Sequence, residues 1–129
     1  MWGKPSLYIP DSFAIEVRDL QAASSWYKEK LGLRDAPRDI GDDSGRPHVV
    51  LQLDKDQYVS LVQVEGQAST KRSYGSVAPI FFAGNLGKTQ DWLKNRGVTV
   101  EPIESDSGGN QLFRFLDLEG NRLEVCKET

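Results

Sequence analysis

The sequence predicts an α+β fold in which two βαβββ repeats form paired, curved, mixed sheets around a central cleft. Short segments that alternate apolar and polar residues, as half-buried strands do, surround two segments with the apolar spacing of an amphipathic helix. The same order of elements, one strand, one helix and three strands, occurs twice along the chain. Two such units are expected to stack, because a unit this small does not bury its sheet face alone.

The first repeat is expected to cover residues about 12–66. Its helix begins after Asp19, whose side chain can cap the first turn, and ends at Gly32, which tolerates the left-handed conformation of a helix end. Between these limits, from Leu20 to Leu31, the apolar residues fall at helical spacing. The expected strands lie at residues 12–18, 33–40, 48–53 and 58–64.

The second repeat is expected at residues about 77–127. At one constant offset from the first repeat, Leu86 corresponds to Leu20 and Trp92 to Trp26, and both tryptophans are expected in the core. The elements are expected at residues 78–83 (strand), 86–96 (helix), 98–104 (strand) and 111–127 (closing hairpin). A polar linker at about 67–76 would join the repeats, and residues 1–11 would form a loose or edge-lying lead.

Composition and charge exclude several classes of protein. With 129 residues, of which 38% are hydrophobic and 27% charged, the chain fits one globular domain, residues 1–129. Its formal net charge of −3 argues against nucleic-acid binding, which favours a basic stripe. No apolar run approaches the roughly 20 residues of a membrane span. The N-terminus lacks an apolar signal core, so we expect no membrane association and a cytoplasmic location.

Metal-binding and nucleophilic side chains are few. Cys126 is the only cysteine and His48 the only histidine, which excludes an intramolecular disulfide, a cysteine metal cluster and any two-histidine site within one chain. His48 is expected at a strand end or in a loop. Which sheet face it occupies is left open, because the turn at residues 54–57 permits more than one strand register.

The C-terminal hairpin carries the most specific pattern in the chain. Residues 117–121, Asp-Leu-Glu-Gly-Asn, supply a tight turn between two alternating strands. Glu124 then stands inside the last strand between two apolar residues, where it faces either solvent or a cleft. The turn would place Arg114 beside Glu124 on the same face. This pair is either a structural ion pair or a site where Arg114 receives an anionic or carbonyl group while Glu124 holds it.

These segments resemble the vicinal oxygen chelate superfamily, also called the glyoxalase/bleomycin resistance/dioxygenase superfamily. Residues 13–20, Phe-Ala-Ile-Glu-Val-Arg-Asp-Leu, are similar to its first strand and helix start. Residues 115–124 are similar to its Phe-x-Asp-Pro-Asp-Gly-Asn-x-Ile-Glu hairpin, with Leu118 in place of the proline. The resemblance covers residues about 12–127, and it implies the fold without naming the reaction.

The resemblance also implies where a metal would bind. Metal-dependent members take His, Gln or Glu ligands from the first and last strands of each half, and the matching positions here are Ser12, Val62, Ala78 and Glu124. Only Glu124 is a strong donor, so no metal cofactor is predicted. The alternative is a divalent metal held by an unusual set drawn from Glu16, Glu124 and His48.

We therefore expect a metal-independent protein that binds a small molecule. It resembles the bleomycin-resistance branch, in which a homodimer sequesters a drug or metabolite. The candidate ligand-binding residues are Glu124, Arg114, Glu16, Phe82 and His48, and Phe82 either stacks on a planar ligand or packs in the core. The alternative is a metal-dependent lyase, isomerase or dioxygenase of the same superfamily, for which no catalytic residue is named. Whether the repeats pair within one chain or are exchanged between two is left open.

Overall fold

A computed structural model describes residues 7–9, 13–37, 46–54, 57–65 and 80–128 of the chain. It confirms the predicted α+β class, because these residues form two helices and two mixed β-sheets. The helices are α1 (Leu20–Leu31) and α2 (Leu86–Asn95). The strands are β1 (Leu7–Tyr8), β2 (Phe13–Val17), β3 (Arg34–Asp35), β4 (His48–Asp54), β5 (Gln57–Gln63), β6 (Ile80–Ala83), β7 (Glu104–Ser105), β8 (Gln111–Leu116) and β9 (Arg122–Lys127).

The two sheets repeat one topology. The strand order is β2-β5-β4-β3 in the first sheet and β1-β6-β9-β8-β7 in the second. In each repeat the first strand (β2 or β6) pairs in parallel with the last (β5 or β9), and the other neighbours are antiparallel. Strand β1 is an additional edge strand, antiparallel to β6, so part of the N-terminal lead extends the second sheet. The expected linker at residues 67–76 lies outside the described residues.

Both helices begin at side chains that satisfy their first turns. Asp19 accepts a hydrogen bond from the backbone N–H of Ala22 at 3.0 Å, and Asn85 caps α2 in the same way, as polar N-cap residues do. Gly32 ends α1 with a φ of 74°, a left-handed conformation that costs little without a Cβ. The predicted bounds of α1 are confirmed, and α2 ends one residue before the expected Arg96. Neither helix is long and apolar enough to cross a bilayer.

One hydrophobic core joins the two repeats within the chain. Helix α1 packs on β4 and β5, and α2 packs on β8 and β9. The strand residues that face the helices are buried in a single cluster that draws on both repeats. At its centre the ring of Phe81 contacts Phe13 of the first repeat, with 5.5 Å between ring centroids, and Phe115 at 6.1 Å. The helix-facing sides of both sheets are therefore committed to the core.

The turn of the C-terminal hairpin fastens the second repeat to the first. The Asp117 side chain is 6% exposed, and its carboxylate accepts hydrogen bonds from the Tyr27 hydroxyl of α1 at 2.5 Å and from Nδ2 of Asn121 at 3.0 Å. Asn121 also donates to the backbone carbonyl of Glu16 in β2. The Glu119 carboxylate accepts from two backbone N–H groups just before α1. The Asp-x-x-Gly-Asn motif at residues 117–121 therefore holds the second repeat against the first.

One strand prediction in the second repeat is wrong. Residues 98–104 are not a continuous strand, because only β7 and an isolated bridge between Val100 and Phe115 form there. Pro102 has no N–H to donate to a ladder. The segment still follows β8, since the N–H of Glu101 donates to the carbonyl of Arg114 and the carbonyl of Thr99 accepts from β8.

Two further expectations hold only in part. The weak strand expected at residues 33–40 is reduced to β3, Arg34–Asp35, among the residues described, and Pro37 follows it closely. Trp26 and Trp92 pack against the core but are only partly buried. Trp92 lies beneath the guanidinium of Arg96, whose Cζ is 4.6 Å from the ring centroid.

Candidate functional site

Strand alternation gives the second sheet one face toward α2 and one face away from it. Phe113, Phe115, Leu123 and Val125 are at most 1% exposed on the helix side, so their neighbours along the strands point the other way. We call this outward side the second-sheet face. It is formed by Tyr8, Phe82, Leu112, Arg114, Leu116, Arg122, Glu124 and Cys126.

Arg114 lies at the centre of the second-sheet face, directly opposite Glu124 in the β8–β9 ladder. Its Nε donates to Oε2 of Glu124 at 3.1 Å, and its Nη1 donates to Oε2 of Glu104 from β7 at 3.0 Å. The side chains of Arg114 and Glu124 are 26% and 19% exposed, so the pair is partly withdrawn from water. One guanidinium is thus held between two carboxylates, which leaves the cluster with an excess of negative charge.

A second ion pair lies beside this cluster. Nη2 of Arg122 is 2.7 Å from Oε1 of Glu101, and Nε of Arg122 donates to the other carboxylate oxygen at 3.0 Å. This two-point contact lowers the pKa of the Glu101 carboxyl, an effect that its partial burial opposes, and it raises the pKa of Arg122. The pair ties the irregular segment before β7 to β9.

The other end of the second-sheet face is aromatic. The rings of Tyr8 and Phe82 are stacked, with 5.7 Å between centroids and 25° between planes. The pKa of the Tyr8 hydroxyl is raised, first by desolvation and then by the nearby Glu128 carboxylate. Phe82 is therefore neither in the core nor open on both sides, since Tyr8 covers one side of its ring.

Cys126 lies between the aromatic and the charged ends of the face. In strand register it pairs with Phe82 on one side and Leu112 on the other. The pKa of its thiol is raised, first by burial and then by the carboxylates of Glu124 and Asp106, against the opposing effect of Arg114. A raised pKa keeps the thiol protonated, which is the unreactive form of cysteine.

Glu16 and His48 belong to the other sheet. Both lie on the face of the first sheet that points away from α1, in one row with Val62 of β5 between them. The face of His48, which the sequence leaves open, is therefore fixed by the pairing of β4 with β5. Glu16 lies 3.7 Å from Arg46, and Nδ1 of His48 lies 3.0 Å from the carbonyl oxygen of Arg46. Among the described residues, no bond joins this group to Arg114 or Glu124.

The strand register corrects one of the four positions that the resemblance implies for metal ligands. Glu124 of β9 pairs with Ile80 of β6. At the offset that relates the two helices, Ile80 corresponds to Ala14 of β2, and Ala14 pairs with Ser60 of β5. The counterpart of Glu124 in the first repeat is therefore Ser60, whereas Val62 corresponds to Cys126. Neither Ser60 nor Val62 would bind a metal well, because valine has no donor atom and a serine hydroxyl binds weakly. Ser12 and Ala78 lie outside the described residues.

The described residues do not fit a divalent metal site. No group of three His, Cys, Asp or Glu side chains in this part of the chain is close enough to hold an ion. The one strong donor at a family position, Glu124, already accepts from the Arg114 guanidinium. A cation at Glu124 would face that fixed positive charge.

A shallow depression of about 280 Å³ lies at the end of the second sheet, where β7 and β9 finish and β8 begins. It is lined by Ser105, Gly109, Asn110, Gln111, Lys127 and Glu128. The Asp106 carboxylate closes the adjacent loop, because it accepts from the N–H groups of Gly108 and Asn110. Glu128, which lines the depression, is also a carboxylate whose charge contributes to the raised pKa of Tyr8, after desolvation of the hydroxyl.

Three residues on or beside the face, Tyr8, Glu104 and Glu128, were not among the predicted site residues. Glu104 was assigned to a longer strand with no stated partner, and Glu128 follows the last strand without any motif around it. Tyr8 lies in the lead segment, where Pro5 and Pro10 hid a strand of two residues. The alternation Leu-Tyr-Ile at residues 7–9 was the only local signal, and a pairing over such a sequence distance leaves no trace in a single sequence.

Several proteins of known structure share the fold of this chain. The model of the Glyoxalase/Bleomycin resistance protein/Dioxygenase superfamily matches residues 9–125. An integron cassette protein from the mobile metagenome of the Halifax Harbour sewage outfall is 20% identical, with a TM-score of 0.73 over 92% of this chain and 97% of its own. A member of the same superfamily from Sphaerobacter thermophilus is 22% identical, with a TM-score of 0.66 over 94% and 97%.

The structural likeness extends to an enzyme. The lactoylglutathione lyase of Agrobacterium tumefaciens is 17% identical, with a TM-score of 0.63 over 91% of both chains. At such identities the likeness shows a shared fold and leaves the activity open. No protein of curated function matches the chain.

Proposed function

The chain belongs to the glyoxalase/bleomycin resistance protein/dioxygenase superfamily, and we propose that it is a member that binds a small organic molecule without a metal. The observation that carries this proposal is the state of Glu124. At the position where metal-dependent members would use a ligand, its carboxylate is bonded to Arg114 at 3.1 Å. The counterpart position in the first repeat holds Ser60, and no three-donor group exists among the described residues.

The second-sheet face supports the binding part of the proposal. Phe82 and Leu116 give it apolar surface that is only half-buried, and Arg114, Glu104 and Glu124 add fixed polar groups beside it. Ligand sites combine these two features, since apolar walls supply affinity and a few placed polar groups supply orientation. The helix-facing side of either sheet could not bind a ligand, because that side is already buried in the core.

A panel of small molecules would test the binding proposal through thermal stability. A ligand that binds only the native state raises the melting temperature, by an amount that grows with the logarithm of its concentration above Kd. We expect at least one planar compound to stabilise the wild-type chain, and we expect Phe82→Leu to lose most of that shift. Tyr58→Leu is the matched control, because Tyr58 is a half-buried aromatic residue of the first sheet. Equal shifts for wild type and Phe82→Leu would place the ligand elsewhere.

A homodimer in the cytoplasm belongs to the same proposal. The half-buried Phe82 and Leu116 lie on an open sheet face, which a partner or a ligand would cover. Light scattering coupled to size exclusion would test the oligomeric state. We expect twice the mass of the chain, and a monomer mass would contradict the homodimer.

The alternative is a metal-dependent lyase, isomerase or dioxygenase. It requires Glu124 to leave Arg114 and to join donors from other parts of the chain or from a second chain. Metal content of the wild type and of Glu124→Ala would decide between the two functions. Metal that the wild type retains and Glu124→Ala loses would favour the enzyme.

A further inference from the structure

We propose that Glu104 is an autoinhibitory side chain of the second-sheet face, which occupies on Arg114 the place that the carboxylate of a ligand takes when the ligand binds. The class of ligand assigned in this way is a small monocarboxylate with an apolar body. The inference rests on the proposed function and deepens it, because it names the chemistry that the face recognises and the residue that competes for the same position.

The two carboxylates on Arg114 are held unequally. Glu124 belongs to β9, the central strand of the second sheet, and its side chain is 19% exposed. Glu104 belongs to the edge strand β7, which has two residues, and its side chain is 51% exposed. An ion pair this exposed contributes little to stability, because water screens it and competes for both partners. Glu104 is therefore the partner that can leave Arg114 at low cost.

The chain around Glu104 has no apolar anchor of its own. Residues 102–110 are exposed throughout, and the pairing of Glu104 with Leu112 and of Ser105 with Gln111 holds this edge by its backbone. A part of a protein that buries few apolar contacts opens at little cost in free energy. When the Glu104 side chain turns away from Arg114, no apolar surface has to be uncovered.

Arg114 has donor capacity that its present partners do not use. A guanidinium carries one N–H on Nε and two on each terminal nitrogen. Nε donates to Glu124 at 3.1 Å and Nη1 donates to Glu104 at 3.0 Å, whereas Nη2 has no partner among the described residues. A ligand carboxylate in the place of Glu104 can accept from Nη1 and Nη2 together. Such a two-point contact is stronger and more directional than the single bond it replaces.

The surrounding charges favour a monoanion over a dianion. Three carboxylates, those of Glu101, Glu104 and Glu124, are bonded to the two guanidinium groups of Arg114 and Arg122. Arg122 is already engaged at two points by Glu101, which leaves Arg114 as the receiver. A second negative charge on the ligand would be repelled by these carboxylates. The displaced Glu104 also repels the ligand, so it lowers the affinity by its charge as well as by its contact.

Apolar surface lies beside Arg114 on the same face. Leu112 and Leu116 stand two residues away on either side along β8, and Leu116 is half-buried. Phe82 lies farther across the face, on the other side of β9. An apolar body attached to the carboxylate would cover this surface, and its burial would add to the affinity that Arg114 supplies.

Nuclear magnetic resonance titrations of the full chain test the class of ligand. Phenylacetate is the monocarboxylate probe, phenylacetamide keeps its shape without the charge, and phenyl phosphate is a dianion. We expect phenylacetate to bind most tightly and to shift the signals of Arg114 and of the Glu104 carboxyl carbon. Equal binding of phenylacetamide, or tighter binding of phenyl phosphate, would overturn the inference. Absence of binding by all three to the wild type and to Glu104→Gln would overturn it as well.

Variants of Glu104 test the autoinhibitory role by the sign of their effect. Glu104→Gln should strengthen phenylacetate binding about fivefold, because it removes the competitor and its charge. Glu104→Asp keeps the charge on a shorter side chain that reaches Arg114 less well, so affinity should rise roughly twofold. Glu65→Gln is the matched control, since Glu65 is an exposed carboxylate of the first repeat, and it should bind as the wild type does.

Two outcomes would contradict that role. If Glu104→Gln binds phenylacetate no more tightly than the wild type does, Glu104 is only a structural partner of Arg114. A gain in Glu104→Gln that Glu104→Asp does not share would mean that charge alone is responsible, which would overturn the competition for Arg114.

Arg114→Lys tests the receiving group. Lysine keeps the positive charge and cannot offer the paired N–H groups of a guanidinium, so phenylacetate binding should weaken roughly fivefold. Binding equal to that of the wild type would contradict the two-point contact.

The failure of this inference is distinguishable from that of the proposed function. If a neutral compound stabilises the chain, loses that effect in Phe82→Leu and binds Glu104→Gln as it binds the wild type, the binding function stands and the carboxylate class is wrong. If no compound stabilises the chain and a metal is retained, both fail together.

Discussion

Tyr27→Phe is expected to destabilise the fold by about 2 kcal/mol, although it removes a single oxygen atom. Tyr27 is fully buried in α1, and its hydroxyl donates to Asp117 in the second repeat at 2.5 Å. A hydrogen bond to a charged acceptor contributes roughly 1.5–3 kcal/mol. The Asp117 carboxylate keeps its bonds from Asn121 and from the N–H of Glu119 at 2.8 Å, so the loss should stay near the lower half of that range.

Urea denaturation followed by circular dichroism would measure this effect. For a chain of this size, about 2 kcal/mol corresponds to a fall of roughly 6–8 °C in melting temperature. Tyr58→Phe is the matched control, because Tyr58 is half-buried and its hydroxyl has no bonding partner among the described residues; its variant should change stability by less than about 0.5 kcal/mol. A loss in Tyr27→Phe as small as that of the control would refute the view that this bond fastens the two repeats.

Three further perturbations follow from individual contacts. The pKa of Tyr27 is raised well above its usual value of 10.0, by burial first and then by Asp117. The stability that the protonated Tyr27 hydroxyl contributes is therefore complete below pH 10 and is lost as pH rises toward the folded pKa. In urea titrations the difference in stability between wild type and Tyr27→Phe should narrow above pH 10. The pKa of Glu101 is lowered from 4.5, chiefly by the hydrogen bond from Arg122, so its contribution is present above that pH and is lost as the solution becomes more acidic; Glu101→Gln should approach the wild type in stability at low pH. Arg96→Ala should cost about 1 kcal/mol, measured against Lys94→Ala, because the Arg96 guanidinium donates to the last carbonyls of α1 at 2.6–3.2 Å.

The parts of the fold that were predictable depend on local chemistry. Asp19 and Gly32 set the ends of α1 because capping acts within one turn of the helix. The turn at residues 117–121 set the register of the last hairpin, and with it the opposition of Arg114 and Glu124. The segment predicted as a strand at residues 98–104 contains Pro102, which has no backbone N–H to donate to a ladder. The alternation of apolar and polar residues does not take this missing donor into account.

The parts of the site that were not predictable depend on pairing between distant strands. The counterpart of Glu124 is Ser60 only because β2 and β5 pair in one particular register, which the sequence does not specify. His48 joins the row of Glu16 for the same reason. Tyr8 reaches the site through a strand of two residues, and Glu104 reaches Arg114 from an edge strand equally short.

Metal content tests the central claim most directly. The untagged chain would be loaded in turn with Zn²⁺, Ni²⁺, Mn²⁺ and Fe²⁺, dialysed exhaustively and analysed by plasma mass spectrometry, with Glu124→Ala treated in parallel. Because the Glu124 carboxylate is bonded to Arg114, we expect no metal to be retained by either protein beyond trace amounts. Near-stoichiometric metal in the wild type that is absent from Glu124→Ala would contradict the metal-independent account and establish Glu124 as a ligand.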